Sequence, residues 1–196
     1  MSKLHSSIVA GKYKGKKIDL PSLETTRSSK VIVKESYFNT IQFDVIDCTL
    51  VEVFSGSGSV GLEALSRGAE YVYFMEKDKA AFQTLSKNIK SLNETNCTAL
   101  YGDSFENIHQ VIKELSKAKK KAFFYVDPPF SFREGMEAIY EKMLSMLSSI
   151  PLEMIEMITI EHMTGLELPE NIGPLKKKKS KKFGKTSLSH YQLPQE

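Results

Sequence analysis

The segment Asp127-Pro128-Pro129-Phe130 assembles residue types that can act on a weak nitrogen nucleophile. An exocyclic amine on an aromatic ring attacks poorly because its lone pair is conjugated into the ring. Hydrogen-bond acceptors around the amine favour its pyramidal, nucleophilic form. The Asp127 carboxylate and the Pro128 carbonyl are two such acceptors. Consecutive prolines fit neither a strand interior nor a helix interior, so Pro128 and Pro129 fix a rigid turn. Phe130 offers a ring face for a base that has left its stack. A plain structural turn is the competing reading, and the upstream sequence weighs against it.

Upstream lies Val53-Phe54-Ser55-Gly56-Ser57-Gly58-Ser59-Val60-Gly61. Gly56, Gly58 and Gly61 have the spacing of a dinucleotide fingerprint, which is weak evidence by itself. Glycines let the backbone pass close to a ligand. Glu76 follows Gly56 by twenty residues and ends an apolar run, where a carboxylate can accept both hydroxyls of a ribose. Asp103 is a further candidate for the cofactor, although Asp before Ser104 is also a good helix N-cap. The expected cofactor-binding set is Phe54, Ser55, Gly56, Ser57, Gly58, Glu76, Lys77, Asp103, Ser104 and Asp127. Two cofactor classes stay open on these residues, a nicotinamide or flavin dinucleotide and S-adenosylmethionine. A dinucleotide would rest its pyrophosphate on the helix N-terminus, whereas S-adenosylmethionine has no phosphate.

The elements that must position these residues alternate. Strands are predicted over Leu50–Phe54, Tyr71–Met75, Thr98–Tyr101, Ala122–Val126 and Met157–Glu161. Helices are predicted over Val60–Arg67, Ala80–Leu92, Phe105–Ser116 and Gly135–Leu147. This pattern implies an α/β, Rossmann-like fold, a mostly parallel sheet with helices on both faces, which binds ligands at the carboxyl ends of its strands. Residues 7–20 read as a small β-hairpin, 21–30 as loop, and Val31–Ile41 as helix. Thr186–Leu193 reads as a last strand, hairpinned to the lysine run before it. Two parts are expected, a hairpin-and-helix extension over residues 1–45 and a cofactor-binding domain over 46–196.

The 196 residues carry 27 basic and 24 acidic side chains, so net charge alone does not announce a nucleic-acid binder. Their distribution does more. Residues 1–34 hold eight basic and two acidic residues, and 175–185 hold seven lysines and no acid. One-signed clusters of this kind attract a phosphate backbone. The expected RNA contacts are Lys12, Tyr13, Lys14, Lys16, Arg27, Lys30, Lys176, Lys177, Lys178 and Lys179, with Lys181 and Lys182 extending a phosphate-tracking tail. Cys48 and Cys97 have no metal spacing, and no metal is expected. No apolar run reaches about 18 residues, so no membrane span is expected and the location read is cytoplasmic. His162 reads as an ordinary loop histidine before it reads as a site residue.

The run FSGSGSVGLEALSRGA followed by EKD, GDS and DPPF resembles the bacterial 16S ribosomal RNA guanine-N2 methyltransferases, which act on guanine 966. The resemblance covers nearly the whole chain. Ile8–Ile18 is similar to the family's opening hairpin, with Ala10 where a second glycine is usual. Lys34–Asn39 is similar to its first helix, and Phe183–Thr186 to its closing hairpin. The family's Arg-Pro-Thr and Asp-Arg stretch is replaced here by Arg27-Ser28-Ser29-Lys30-Val31-Ile32, in which Arg27 alone remains. The resemblance implies a seven-stranded sheet and S-adenosyl-L-methionine held by Gly56, Gly58, Glu76 and Asp103. It implies a guanine amine held by Asp127 through Phe130. The implied partner is 16S rRNA, in the small ribosomal subunit or its assembly intermediate, met by a monomer. An adenine-N6 methyltransferase would use the same four residues. A nicotinamide-dependent oxidoreductase would need an acid–base residue that His5, His109, His162 and His190 do not form. A non-catalytic RNA-binding module is a further alternative, against which the intact DPPF argues.

Overall fold

The computed structural model describes residues 4–21, 31–129 and 137–194. Strands β1 (His5–Ser7) and β2 (Lys17–Asp19) pair antiparallel, with Ser6 opposite Ile18. The hairpin expected over residues 7–20 thus has shorter strands and a longer loop. That loop is pressed onto the protein at Gly11, where a Cβ would run into the Ser66 carbonyl. Lys12 N donates to that same carbonyl at 2.8 Å. Helix α1 (Val31–Thr40) follows, close to its predicted span.

The alternating region folds as β3 (Thr49–Val53), α2 (Ser59–Arg67), β4 (Tyr71–Glu76), α3 (Lys79–Ser91), β5 (Cys97–Tyr101), α4 (Ser104–Ala118), β6 (Ala122–Val126), α5 (Glu137–Ser148) and β7 (Ile155–Met163). Three antiparallel strands close it, β8 (Asn171–Ile172), β9 (Leu175–Phe183) and β10 (Thr186–Gln192). The sheet order is β5-β4-β3-β6-β7-β10-β9-β8, and its first five strands are parallel. The expected class is what forms, with eight strands in place of seven. The extra strand, β8, has two residues, too few to leave an alternation in the sequence.

Strand β6 (AFFYV) explains the layering. All five residues are buried because the sheet is covered on both faces. Phe124 and Val126 pack with Ile108, Val111 and Leu115 of α4 and with Met143 and Leu147 of α5. Phe123 and Tyr125 point the other way, into the cluster of α1, α2 and α3 that holds Tyr37, Phe38, Leu62 and Leu85. The first 45 residues add Ile8, Ile18, Val33 and Ile41 to that second cluster.

A charged network pins them there. Lys34 and Glu63 are both fully buried and pair at 3.2 Å. Lys34 Nζ also donates to Ser7 O and Ser59 Oγ. The Glu63 carboxylate accepts from Val9 N, Ala10 N and Arg67 Nε at 2.8–3.0 Å. Each charge thus has several partners, the condition under which buried ions are tolerated.

The lysine run, expected as a phosphate-tracking tail hairpinned to the last strand, is β9, ladder-bonded to β10 with Ser180 opposite Ser189. A strand fits because its residues alternate between the two sheet faces. Lys181 reaches Ser36 Oγ of α1, Lys177 Nζ binds Leu168 O and Glu170 Oε1 at 2.8 Å, and Lys176, Lys178, Lys179 and Lys182 are exposed. His162, expected in a loop, lies inside β7, its Nε2 2.9 Å from Ser189 Oγ. Among the described residues no helix is long and apolar enough to cross a membrane, and no metal-binding group of side chains occurs.

Candidate active site

The parallel strands deliver their chemistry at one edge. Beyond β3 the chain turns through Phe54, whose φ is 61°, a costly conformation for a bulky side chain. Strain of this kind persists where surrounding structure over-determines it. Phe54 packs edge-on against Phe105 of α4, 5.7 Å between centroids. Ser55 then locks the turn to β4. Its N–H donates to Met75 O at 2.9 Å, its hydroxyl donates to Glu52 O at 2.7 Å, and Met75 N donates to that hydroxyl at 2.8 Å. Gly58 has φ 79° and sits where a Cβ would strike Leu85. At Gly61 a Cβ would strike Phe74, so the third glycine of the motif serves close packing of α2 on the sheet.

Glu76 ends β4 and turns its carboxylate back to the glycine turn. Oε2 accepts from Gly56 N and Oε1 from Asp78 N, both at 2.7 Å. A carboxylate has about four acceptor positions, so both oxygens can still receive hydroxyl donors. Lys77 beside it is exposed, while Ser57 is buried, its carbonyl accepting from Asn88 Nδ2 at 3.0 Å. Asp103, past β5, caps α4 by accepting from Phe105 N at 2.9 Å, and Ser104 is buried in that first turn.

Asp127 stands at the end of β6, held to β3 by Asp127 N donating to Val53 O at 3.3 Å. Its Oδ1 is enclosed and has no hydrogen-bond partner among the described residues. Burial first, then the carboxylates of Glu161 and Glu52, push its pKa well above the ordinary carboxylate range. Tyr140 of α5 has a hydroxyl that is likewise enclosed and unpartnered. Burial and the Asp127 charge push that hydroxyl up to about 12. Pro128 is buried and Pro129 exposed. Phe130, Arg27 and Lys30 lie outside the described residues.

Two carboxylates of this edge escape the sequence reading. Glu52 sits within β3 and accepts from Val60 N at 3.1 Å and Gly61 N at 2.8 Å. It supplies the acceptors that the N-cap of α2, Gly58, lacks. Burial raises its pKa to about 8, opposed by those two backbone bonds and by Lys34. Glu161 ends the core of β7, is 4% exposed, and accepts from the Tyr125 hydroxyl at 2.5 Å. A lone acid inside an otherwise apolar strand run, LVEVF or ITIEH, is the signal that marks both.

The lysine-bearing hairpin loop lies elsewhere. Lys12 and Tyr13 dock on Ser66 at the C-terminal end of α2, and both bind Glu94 just before β5, at 2.9 Å each. Those positions belong to the amino-end edge of the parallel strands, opposite Asp127. Lys14 and Lys16 are exposed on the same loop.

This chain matches the family described as Conserved hypothetical protein 95 over residues 6–192. It is 30% identical to the protein YlbH of Bacillus subtilis over 190 residues, 94% of this chain and 97% of that one. It is 34% identical to the ribosomal RNA small subunit methyltransferase D of Haemophilus influenzae over 136 residues, 67% of each chain. The solved structure of the Escherichia coli protein yhhF superposes with a TM-score of 0.78 at 25% identity, covering 98% of this chain and 100% of that one. The Thermus thermophilus 16S rRNA N2 methyltransferase RsmC, solved with AdoMet and guanosine, superposes with a TM-score of 0.71. At 13% identity, over 98% of this chain and 50% of that one, it shares the fold. The chain has the class I methyltransferase fold and belongs to the Conserved hypothetical protein 95 family, the family to which the sequence resemblance pointed.

Proposed function

We propose that this protein transfers a methyl group from S-adenosylmethionine to the exocyclic N2 amine of a guanine in 16S rRNA, acting as a monomer in the cytoplasm on the small ribosomal subunit or its assembly intermediate. The observation that carries the reading is the enclosed, unpartnered Oδ1 of Asp127 beside the glycine turn. Leaving a buried acceptor unmet costs about 1–3 kcal/mol, a cost that an arriving amine donor removes. The relatives' names support the same reaction class, rRNA methylation on the small subunit.

The cofactor follows from the glycine turn and Glu76. A dinucleotide would need the N-terminal N–H groups of α2 for its pyrophosphate, yet those of Val60 and Gly61 are taken by the Glu52 carboxylate. A phosphate-free cofactor fits instead, with Glu76 receiving its ribose hydroxyls, the turn at Gly56 and Gly58 passing close to it, and Asp103 beside its adenine. S-adenosylmethionine, when bound, supplies a methyl group on a sulfonium, which leaves as a neutral thioether. Asp127 and the Pro128 carbonyl accept the two N–H bonds of the amine and free its lone pair to attack in line. As the N–CH3 bond forms, one amine proton leaves to the Asp127 carboxylate or to water. Catalysis is then chiefly positioning. The exposed lysines of β9 would meet RNA phosphates around the target, and the hairpin loop bearing Lys14 and Lys16, on the opposite edge, would meet RNA farther from it.

The test uses purified protein, tritiated S-adenosylmethionine and small-subunit particles from cells lacking the gene, with nucleoside analysis of the product. Label in N2-methylguanosine, lost in Asp127→Ala, is the expected result. Label in N6-methyladenosine would move the target to adenine, and binding of the cofactor without transfer to particles, free rRNA or DNA would overturn the reading.

A further inference from the structure

Asp127 has a neighbour of the same charge. In the parallel pairing of β6 with β7, Val126 stands opposite Ile160, so Asp127 and Glu161 are the next positions along the two chains, and the Glu161 charge acts on Asp127. They also share a face. Tyr125 and Leu188, in the cluster under α1, α2 and α3, fix that face, because Tyr125 precedes Asp127 by two residues and Leu188 pairs with Glu161. Glu161 is buried, and the Tyr125 hydroxyl holds its Oε2 at 2.5 Å. Tyr125 is itself wedged by Tyr37, 4.7 Å between ring centroids. Buried Glu161 and half-buried Asp127, its Oδ1 enclosed, therefore stand side by side at the point where a target amine must arrive.

Paired acceptors of this kind suit one base edge. Guanine presents two adjacent donor groups, N1–H and N2–H2, whereas adenine presents its N6 amine beside an N1 acceptor. A carboxylate next to the one that holds the amine gains a hydrogen bond from guanine N1–H. Against adenine N1 it would meet only like lone pairs. We propose that Glu161 is a specificity-determining residue that accepts from guanine N1–H while Asp127 holds the N2 amine, with Tyr125 fixing its carboxylate. The proposal rests on the methyltransferase reading above and deepens it. The Glu161 charge disfavours the ionised form of Asp127 in the free protein, and the donors of a guanine edge offset that effect.

The experiment compares two target nucleotides. Nucleoside analysis on natural particles identifies the methylated guanine, mass analysis of nuclease fragments locates it, and particles are then reconstituted with 2-aminopurine at that position. 2-Aminopurine keeps the N2 amine but has an acceptor at N1 and no O6. Wild-type protein is expected to favour guanine by roughly 10- to 100-fold in kcat/KM. Glu161→Gln keeps one oxygen that can accept from Tyr125 and exchanges the other acceptor for an amide N–H2 donor. The guanine-to-2-aminopurine ratio should then fall at least about tenfold, with 2-aminopurine transfer maintained or raised. Because O6 is lost in both comparisons, only the change of ratio reports on Glu161. Tyr125→Phe, which frees the carboxylate without removing it, should lower the ratio by less. An equal loss on both nucleotides, with the ratio unchanged, would make Glu161 merely structural and overturn the proposal. Cofactor binding without N2-methylguanosine from wild-type protein would instead remove the reaction beneath it, a different failure.

Discussion

The two halves of the carboxyl edge differ in how completely their carboxylates are met. In the half built by β3, β4 and β5, backbone N–H groups of neighbouring turns meet Glu52, Glu76 and Asp103. In the half built by β6 and β7, the Tyr125 hydroxyl meets Glu161, but Asp127 Oδ1 and the Tyr140 hydroxyl have no hydrogen-bond partner among the described residues. The first half is finished before any ligand arrives, which suits a cofactor that is always the same molecule. The second is left incomplete at Asp127, where the donors of an incoming amine complete it. Preorganised acceptors aimed at the reacting group are the larger part of such catalysis.

Removing Asp127 should break this contrast most visibly. Asp127→Ala is expected to lower kcat/KM for methyl transfer roughly 100- to 1000-fold, the scale of losing one preorganised polar partner. Its urea midpoint should not fall, because the lost group had no partner to lose. A midpoint drop as large as that of a Glu52 variant would mean that Asp127 is structural. Glu52→Ala should do the reverse on the other half. Stranding the Val60 and Gly61 N–H groups is expected to cost about 1–3 kcal/mol in chemical denaturation. Glu76→Ala should weaken S-adenosylmethionine binding at least about tenfold in calorimetric titration, about 1.4 kcal/mol, and leave RNA affinity unchanged.

The acid limb of the pH–rate profile sharpens the same point. Burial, Glu161 and Glu52 raise the pKa of Asp127, so its accepting, ionised form is lost as pH falls through that raised value. In the free protein kcat/KM should therefore decline on acidification from well above the usual carboxylate range. Asp127→Asn, which still accepts through its amide oxygen, should flatten that limb at a lower plateau. The smallest effect belongs to β9. Replacing Lys176, Lys178, Lys179 and Lys182 by Ala should reduce the slope of log affinity against log salt by about 0.7–0.9 for each phosphate that a lysine no longer neutralises.

The sequence exposed what punctuates a pattern and hid what sits inside one. The glycine turn, Glu76 and Asp127-Pro128-Pro129 interrupt strand–helix alternation, and each was readable with its place on the edge. Glu52 and Glu161 interrupt nothing, being single acids in strand runs whose other residues announce a buried sheet. Tyr140 looks like any apolar helix residue until α5 is laid beside the end of β6. The hairpin loop shows a further limit. Lys12 and Tyr13 read as free basic and aromatic residues because Glu94, which binds both, is about eighty positions away. Among the strands, β8 was invisible for its length, and β9 was legible only as the hairpin partner of the strand after it, because six charges outweighed the modest apolar signal of Leu175 and Phe183.

The buried Lys34–Glu63 pair also orders events during synthesis. The first 45 residues leave the ribosome before α2 exists, and until Glu63 emerges Lys34 has no counter-ion for burial. The amino-terminal hairpin and α1 cannot settle as an early unit and must wait for residues 59–67. Chain growth from the N-terminus favours folding of whole domains in order, and here the first-made segment docks on a later-made one. A stalled nascent chain ending before Glu63 should remain protease-sensitive throughout α1, and protection should begin only once α2 is clear of the exit tunnel.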